Sequence, residues 1–134
     1  MFIQLLKCKL HQACVTDGDL TYEGSLGIDA ELMNLIGLVD HEKILVANMN
    51  TGDRFETYAI REPAGSRRIV LNGAAARLGA RGDRLIIMSF GWFDEKELHR
   101  APHEPRVLRL DENNQIVAAY GFEDAETTAT PHPS

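Results

Sequence analysis

Glu42-Lys43-Ile44-Leu45-Val46-Ala47-Asn48 is followed, after Met49, by Asn50-Thr51-Gly52-Asp53 and then by Arg54-Phe55-Glu56-Thr57-Tyr58-Ala59-Ile60-Arg61. The first run has an apolar heart, Ile44-Leu45-Val46, of strand length. The four residues after it carry the Asn, Gly and Asp of a hairpin turn. The return run alternates strictly. Phe55, Thr57 and Ala59 take one side, and Arg54, Glu56, Tyr58 and Ile60 take the other, because successive side chains on a strand face opposite ways. A lone hairpin is marginal in water, so this pair requires further strands.

Those strands lie on both sides of it. Residues 2–16 are rich in β-formers and read as one or two strands. Ile69-Val70-Leu71, Arg84 to Phe90, Arg106 to Leu110 and Gln115 to Tyr120 read as four more. Asp17-Gly18-Asp19 reads as a turn, and Leu20 to Glu23 as a short extended piece. The clearest helix follows Ile28: Asp29 is its N-cap, Leu32, Leu35 and Ile36 share a face, and Gly37 closes it. Asp94 caps a second short helix through Leu98, and Ala101 to Pro105 is a linker. Six or seven short strands with two or three short helical pieces predict an all-β fold, a small closed β-barrel whose ends are plugged by helices.

The chain has 134 residues, enough for a single domain, placed at 1–120. The tail, 121–134, lacks a hydrophobic pattern and is expected to be disordered. A net charge of -6 argues against nucleic acid as a partner. No apolar run has membrane-spanning length, and Met1 to Lys7 reads as a strand rather than a signal peptide. The expected location is the cytoplasm. Cys8 and Cys14 are expected to be free thiols there. Neither they nor the histidines at 11, 41, 99, 103 and 132 have metal-ligand spacing.

The chemistry centres on Thr21-Tyr22-Glu23-Gly24-Ser25. If the backbone is bent at Gly24, which glycine tolerates, Ser25 Oγ can attack the Gly24 carbonyl and convert the amide to an ester. Elimination then leaves a new carboxylate on Gly24 and a dehydroalanine. Hydrolysis of that dehydroalanine gives a ketone, a pyruvoyl cap. Tyr22 can serve as a local hydroxyl donor or acceptor. Read alone, Gly24-Ser25 is also an ordinary loop dipeptide.

Other groups have a functional and a bland reading side by side. Asn72-Gly73-Ala74-Ala75-Ala76 follows a strand, and its open N–H groups suit an anion; equally, it is a plain strand-to-helix turn. Lys9 and Arg54 can grip carboxylates, or be solvated outer charges. Tyr58 shares the Arg54 face, with core packing as its other role. His11 is either a proton shuttle or structural. Ser25 is not a conventional triad nucleophile, since the Gly-x-Ser-x-Gly elbow is absent.

Together these pieces resemble a known family. Lys9-Leu10-His11, Tyr22-Glu23-Gly24-Ser25, Ile28-Asp29, Arg54 to Ile60, Gly65-Ser66, Val70 to Ala76 and Gly82-Asp83 resemble the pyruvoyl-dependent aspartate 1-decarboxylases, in order and spacing, over residues 1–120. Gln12 departs from the arginine usual there, and Leu26 occupies a position that varies.

The resemblance implies a six-stranded double-psi β-barrel, assembled as a homotetramer with active sites between subunits. It implies self-cleavage at Gly24–Ser25 into a β chain, 1–24, and an α chain, 25–134, that begins with a covalent pyruvoyl group derived from Ser25. It implies decarboxylation of L-aspartate to β-alanine and CO2 for pantothenate and coenzyme A synthesis, and leaves room for a maturation factor. Ser25 and Tyr58 are then catalytic, with Tyr58 the proton donor. Gly24, Ser25, Thr57, Tyr22, Asn72 and His11 serve self-processing. Lys9, Arg54, Thr57, Gly73, Ala74 and Ala75 bind substrate. Two alternatives stay open: a pyruvoyl decarboxylase of another amino acid, and a β-barrel binding module without chemistry.

Overall fold

A computed structural model describes residues 1–122; the tail expectation, from 123 onward, lies outside the described residues. Strands run β1 Phe2–Cys14, β2 Asp17–Asp19, β3 Ser25–Asp29, β4 Lys43–Asn48, β5 Arg54–Glu62, β6 Ile69–Asn72, β7 Arg84–Asp94, β8 Arg106–Leu110 and β9 Ile116–Tyr120. Helix α1 spans Ala30–Ile36, α2 spans Glu95–Arg100, and a 3₁₀ turn covers Gly73–Arg77.

The hairpin forms as read, with Leu45 facing Glu56 and Val46 facing Phe55. Asn48 shapes its turn: Oδ1 accepts the N–H groups of Asn50 and Thr51 at 2.8 and 3.2 Å. The Asn48 amide donates to Leu78 O and to Asp83, each at 3.0 Å, tying the turn to the loop before β7.

The all-β expectation holds, but the ladder differs from a closed ring of six. Among the described residues nine strands are paired in the order β2-β6-β3-β5-β4-β7-β1-β8-β9, which leaves two edges. The reason lies at Val15 and Thr16. β1 pairs with β7, and two residues past its end the same chain resumes as β2 beside β6. Asp17-Gly18-Asp19 is therefore a strand, not the turn its composition suggests. Between them, Val15 N–H donates to Asp83 O and Thr16 N–H to Ile69 O, both at 2.9 Å. The β2 edge is thus joined to β1 by chain continuity and not by a ladder. β8 and β9 extend the order beyond β1. Residues 20–22 form a turn rather than an extended piece.

Leu10, Leu26, Ile28, Ile44, Val46, Leu71, Leu85 and Ile87 fill the interior. From α1, Leu32, Met33 and Ile36 join them, while Leu35, expected on that face, is 39% exposed. The helix ends at Gly37, whose φ of 79° is the left-handed cap conformation. Buried Asn114 ties the β8–β9 connection to the end of β1: its Oδ1 accepts the Cys14 N–H at 2.6 Å, and its amide donates to Cys14 O and to Arg67 O, each at 2.9 Å.

Asp29 is fully buried. Its carboxylate accepts N–H groups from Glu31, Gly65 and Arg67 at 2.8, 2.9 and 2.7 Å, and lies 3.2 Å from the Arg67 guanidinium. Burial alone pushes its carboxyl pKa up, but these donors outweigh it and hold the pKa below the ordinary value. A carboxyl depressed on folding contributes stability that is present above its unfolded pKa and is lost as the pH falls through the folded one. Asp29→Asn should therefore cost about 2–3 kcal/mol near neutral pH. In urea unfolding, that gap to wild type should close below about pH 4; a gap constant down to pH 2 would refute the assignment.

Candidate functional site

Ser25 opens β3 and is fully buried. It stands directly across from Asn72, the last residue of β6. Asn72 Nδ2 donates to Ser25 Oγ at 3.1 Å, and Ser25 Oγ donates to Glu23 O at 3.2 Å. The hydroxyl is thus fixed between an amide donor and a carbonyl acceptor, beside the Gly24 carbonyl that precedes it in the chain. Among the described residues no histidine or carboxylate bonds to it, which removes a triad.

The tight point is Gly73. Its φ is 62°, and a Cβ there would lie 2.8 Å from both Gly24 Cα and Gly24 N and 2.9 Å from Tyr22 O. The chain bends at Gly24 as expected, but its φ is outside the left-handed region, and a Cβ on it would meet nothing within 4 Å. The constraint on this segment comes from across the sheet. Tyr22 contributes its backbone carbonyl to this contact, and its side chain is 54% exposed. Asp19 steadies the segment's start, accepting the Thr21 N–H at 3.0 Å and its hydroxyl at 2.8 Å; the Asp-x-Thr spacing carried that signal.

Asn72 points its amide at Ser25 and gives the 3₁₀ turn Gly73–Arg77 no side-chain cap. The first N–H groups of that turn, at Gly73 to Ala75, are therefore uncapped beside Ser25. Leu26 pairs with Ala59 in parallel register, so Ser25 and Tyr58, each one residue earlier, stand side by side on β3 and β5. Thr57 precedes Tyr58 and alternates to the other face, facing Ile44 in β4. Tyr58 is half-buried, and its hydroxyl bonds to nothing among the described residues.

The structure does not bring Arg54, Lys9 and His11 to this cluster within one chain. Arg54 is four residues from Tyr58, roughly 13 Å along the strand. Lys9 and His11 sit on β1, with β5, β4 and β7 between it and β3. Among the described residues neither Lys9 nor Arg54 makes an ion pair or a side-chain hydrogen bond. His11 Nδ1 is buried without a partner among them. Desolvation, then the charges of Lys9, Arg109 and Arg84, push the His11 pKa down, so its ring is neutral at neutral pH.

A groove of about 380 Å³ opens beside Asn72, lined by Asp17, Asp19, Tyr22, Glu62 and Arg68 among others. The sequence reading missed Arg68, whose guanidinium bridges Asp17 at 3.1 Å and Glu62 at 3.0 Å. Nothing in its local spacing foretold this, because the partners arrive from two other strands.

The sequence profile of a family described as aspartate decarboxylase matches residues 1–117. An aspartate 1-decarboxylase of Pseudothermotoga lettingae is 52% identical over 113 residues, covering 84% of this chain and 95% of the relative. One from Alkalilimnicola ehrlichii is 54% identical over 117 residues, 87% and 91% of the two chains. A Bacillus cereus protein of the same name is 45% identical over 127 residues, 95% and 98%.

Gly73→Ala adds a methyl where backbone already stands and imposes an unfavourable φ. It should cost about 1–3 kcal/mol and raise amide exchange across residues 20–24; exchange there at the wild-type rate would mean that the segment has room.

Proposed function

The chain belongs to the aspartate decarboxylase family, and on that premise we propose that it converts L-aspartate to β-alanine and CO2, the step that feeds pantothenate and coenzyme A synthesis. It is a lyase. The proposal extends to its cofactor: a pyruvoyl group made from Ser25 by cleavage of the Gly24–Ser25 bond. The observation that carries this is the buried Ser25 hydroxyl, held between Asn72 Nδ2 and Glu23 O.

Self-processing needs the Oγ to reach the carbonyl of the preceding residue. The attack is intramolecular, so positioning replaces the strong base that a free hydroxyl would require. Asn72 and the Gly73 contact supply that positioning, with Thr57 as a further participant from β5. The shift of the chain onto oxygen gives an ester. Its elimination releases residues 1–24 with a C-terminal carboxylate, and hydration with loss of ammonia leaves the ketone. These residues also fit the product: the Asn72 amide that donates to Oγ can donate equally to a carbonyl oxygen, and Ser25 is fully buried.

When present, a pyruvoyl group supplies an electron sink for the pair freed as CO2 leaves. The chain does the rest. The uncapped N–H groups of Gly73, Ala74 and Ala75 can hold a carboxylate beside Ser25. Lys9 and Arg54, without an ion pair among the described residues, are cations suited to a dicarboxylic substrate. Tyr58, level with Ser25 on the adjoining strand, carries the proton to the α-carbon. His11, neutral, serves processing.

We extend the proposal to a homotetramer with active sites between neighbours. Two facts support it: Lys9 and Arg54 stand away from their own Ser25, and Phe2, Tyr22 and Trp92 are large apolar side chains left 65%, 54% and 69% exposed. The cytoplasm suits both the free thiols of Cys8 and Cys14 and the substrate. Among the described residues no helix is long and apolar enough to cross a membrane.

Intact mass of purified protein should show two fragments, the larger without a free amino terminus, and Ser25→Ala should stay whole and inactive. Tyr58→Phe should be cut normally yet lose about 10²–10⁴-fold in turnover. A wild-type chain that stays whole after long incubation would end the processing claim, and normal turnover by Tyr58→Phe would remove that residue from its role.

A further inference from the structure

We propose that His41 is a positioning residue for Tyr58, holding the ring of the proton donor through a loop that clamps β5; this rests on the role given to Tyr58 above. His41 lies in the connection between α1 and β4. Its N–H donates to Ala59 O at 2.7 Å, and the carbonyl of Glu42 accepts from Ala59 N–H at 3.0 Å. Both backbone groups of the residue after Tyr58 are therefore held by two consecutive loop residues. The His41 ring sits 5.9 Å from the Tyr58 ring, tilted by 48°, within the range of favourable ring contact.

The conformation of His41 is unusual. Its φ is 71°, a left-handed value that residues with a Cβ seldom take. Such conformations persist where the surroundings over-determine them. Here the fixing group is the Glu42 carboxylate. It accepts from Lys7 Nζ on β1 at 2.9 and 3.1 Å, from the Val39 N–H at 3.0 Å, and from the Ser89 hydroxyl on β7. The loop is thus anchored to strands on one side of the sheet and grips β5 on the other.

A purely architectural role does not account for the imidazole. Glycine would suit that φ better. Burial is not its contribution either, because the side chain is 73% exposed. Its nearest charged neighbour, the Asp40 carboxylate, is 3.8 Å from Nδ1, too far for a firm hydrogen bond. The contact that remains is with Tyr58, whose hydroxyl makes no bond of its own among the described residues. The imidazole limits the positions this ring can take, and a proton donor must lie within hydrogen-bond reach of its target.

The test is His41→Gly in fully matured protein, with maturation verified by intact mass. Glycine accepts the positive φ without strain, so the backbone clamp stays and only the ring is lost. Turnover of aspartate should fall about ten- to hundredfold, with KM within about twofold of wild type and no drop in the thermal midpoint. His41→Phe, which restores a ring, should recover most of the loss. In a Tyr58→Phe background His41→Gly should cause no further loss. Undiminished turnover by His41→Gly, or the same loss in both backgrounds, overturns the inference. Tyr58→Phe measured alone separates the two claims: if it is fully active, the role of Tyr58 falls and the inference with it, whereas if it is inactive while His41→Gly is normal, only the inference falls.

Discussion

The close approach of Gly73 to Gly24 and Tyr22 is the constraint on which the site depends. A strand that ends in Asn72-Gly73 against the start of another can do two things at once. Asn72 reaches across to the Ser25 hydroxyl, and Gly73 lets the preceding segment lie where a side chain would otherwise stand. With any other residue at 73, a Cβ less than 3 Å from backbone atoms would move the Gly24–Ser25 bond away from its partners. The fold supplies the rest of the vice. β3 is held between β5 and β6 by ladders on both sides, and its outer end is fixed by the Asp29 carboxylate, so the segment has little freedom to relax.

Much of this was legible in the sequence, because it was written locally. The 42–61 hairpin showed itself through alternation and turn residues, α1 through Asp29 and Gly37, and the site through Gly24-Ser25 and Asn72-Gly73. What escaped was written across the chain. Asp17-Gly18-Asp19 has turn composition, and only the presence of β6 alongside makes it a strand. The close approach at Gly73 escaped as well, since which of two facing glycines lacks room for a side chain depends on their approach in space. Leu35 obeys the helical period yet points outward, because seven residues are too few for the period to fix which face is covered. Arg68 gave no signal at all, its two acidic partners being supplied by β2 and β5.

Charge is distributed to match this division. The groups that touch Ser25 are neutral: an asparagine amide and a backbone carbonyl, with uncapped N–H groups close by. A buried ion next to the hydroxyl would bear a desolvation cost unless paired, and would favour one charge state over a reaction that passes through several. The cations that suit a dicarboxylic substrate, Lys9 and Arg54, are kept half-buried or exposed on other strands, without an ion pair among the described residues.

Under the proposed self-processing, that separation would keep the making of the reactive group apart from its use. In a single chain, the contacts around Ser25 are in place: its donor, its acceptor and the packed glycine. The substrate-gripping cations are not gathered there, because Lys9 lies on β1, with three strands between it and β3, and Arg54 lies roughly 13 Å along β5 from Tyr58. If assembly brings a neighbour's cations to each Ser25, chain cleavage relies on the fold and decarboxylation relies on the association of folds. The two reactions then draw on one residue at different levels of structure, and the geometry that activates the first need not be disturbed to accommodate the second.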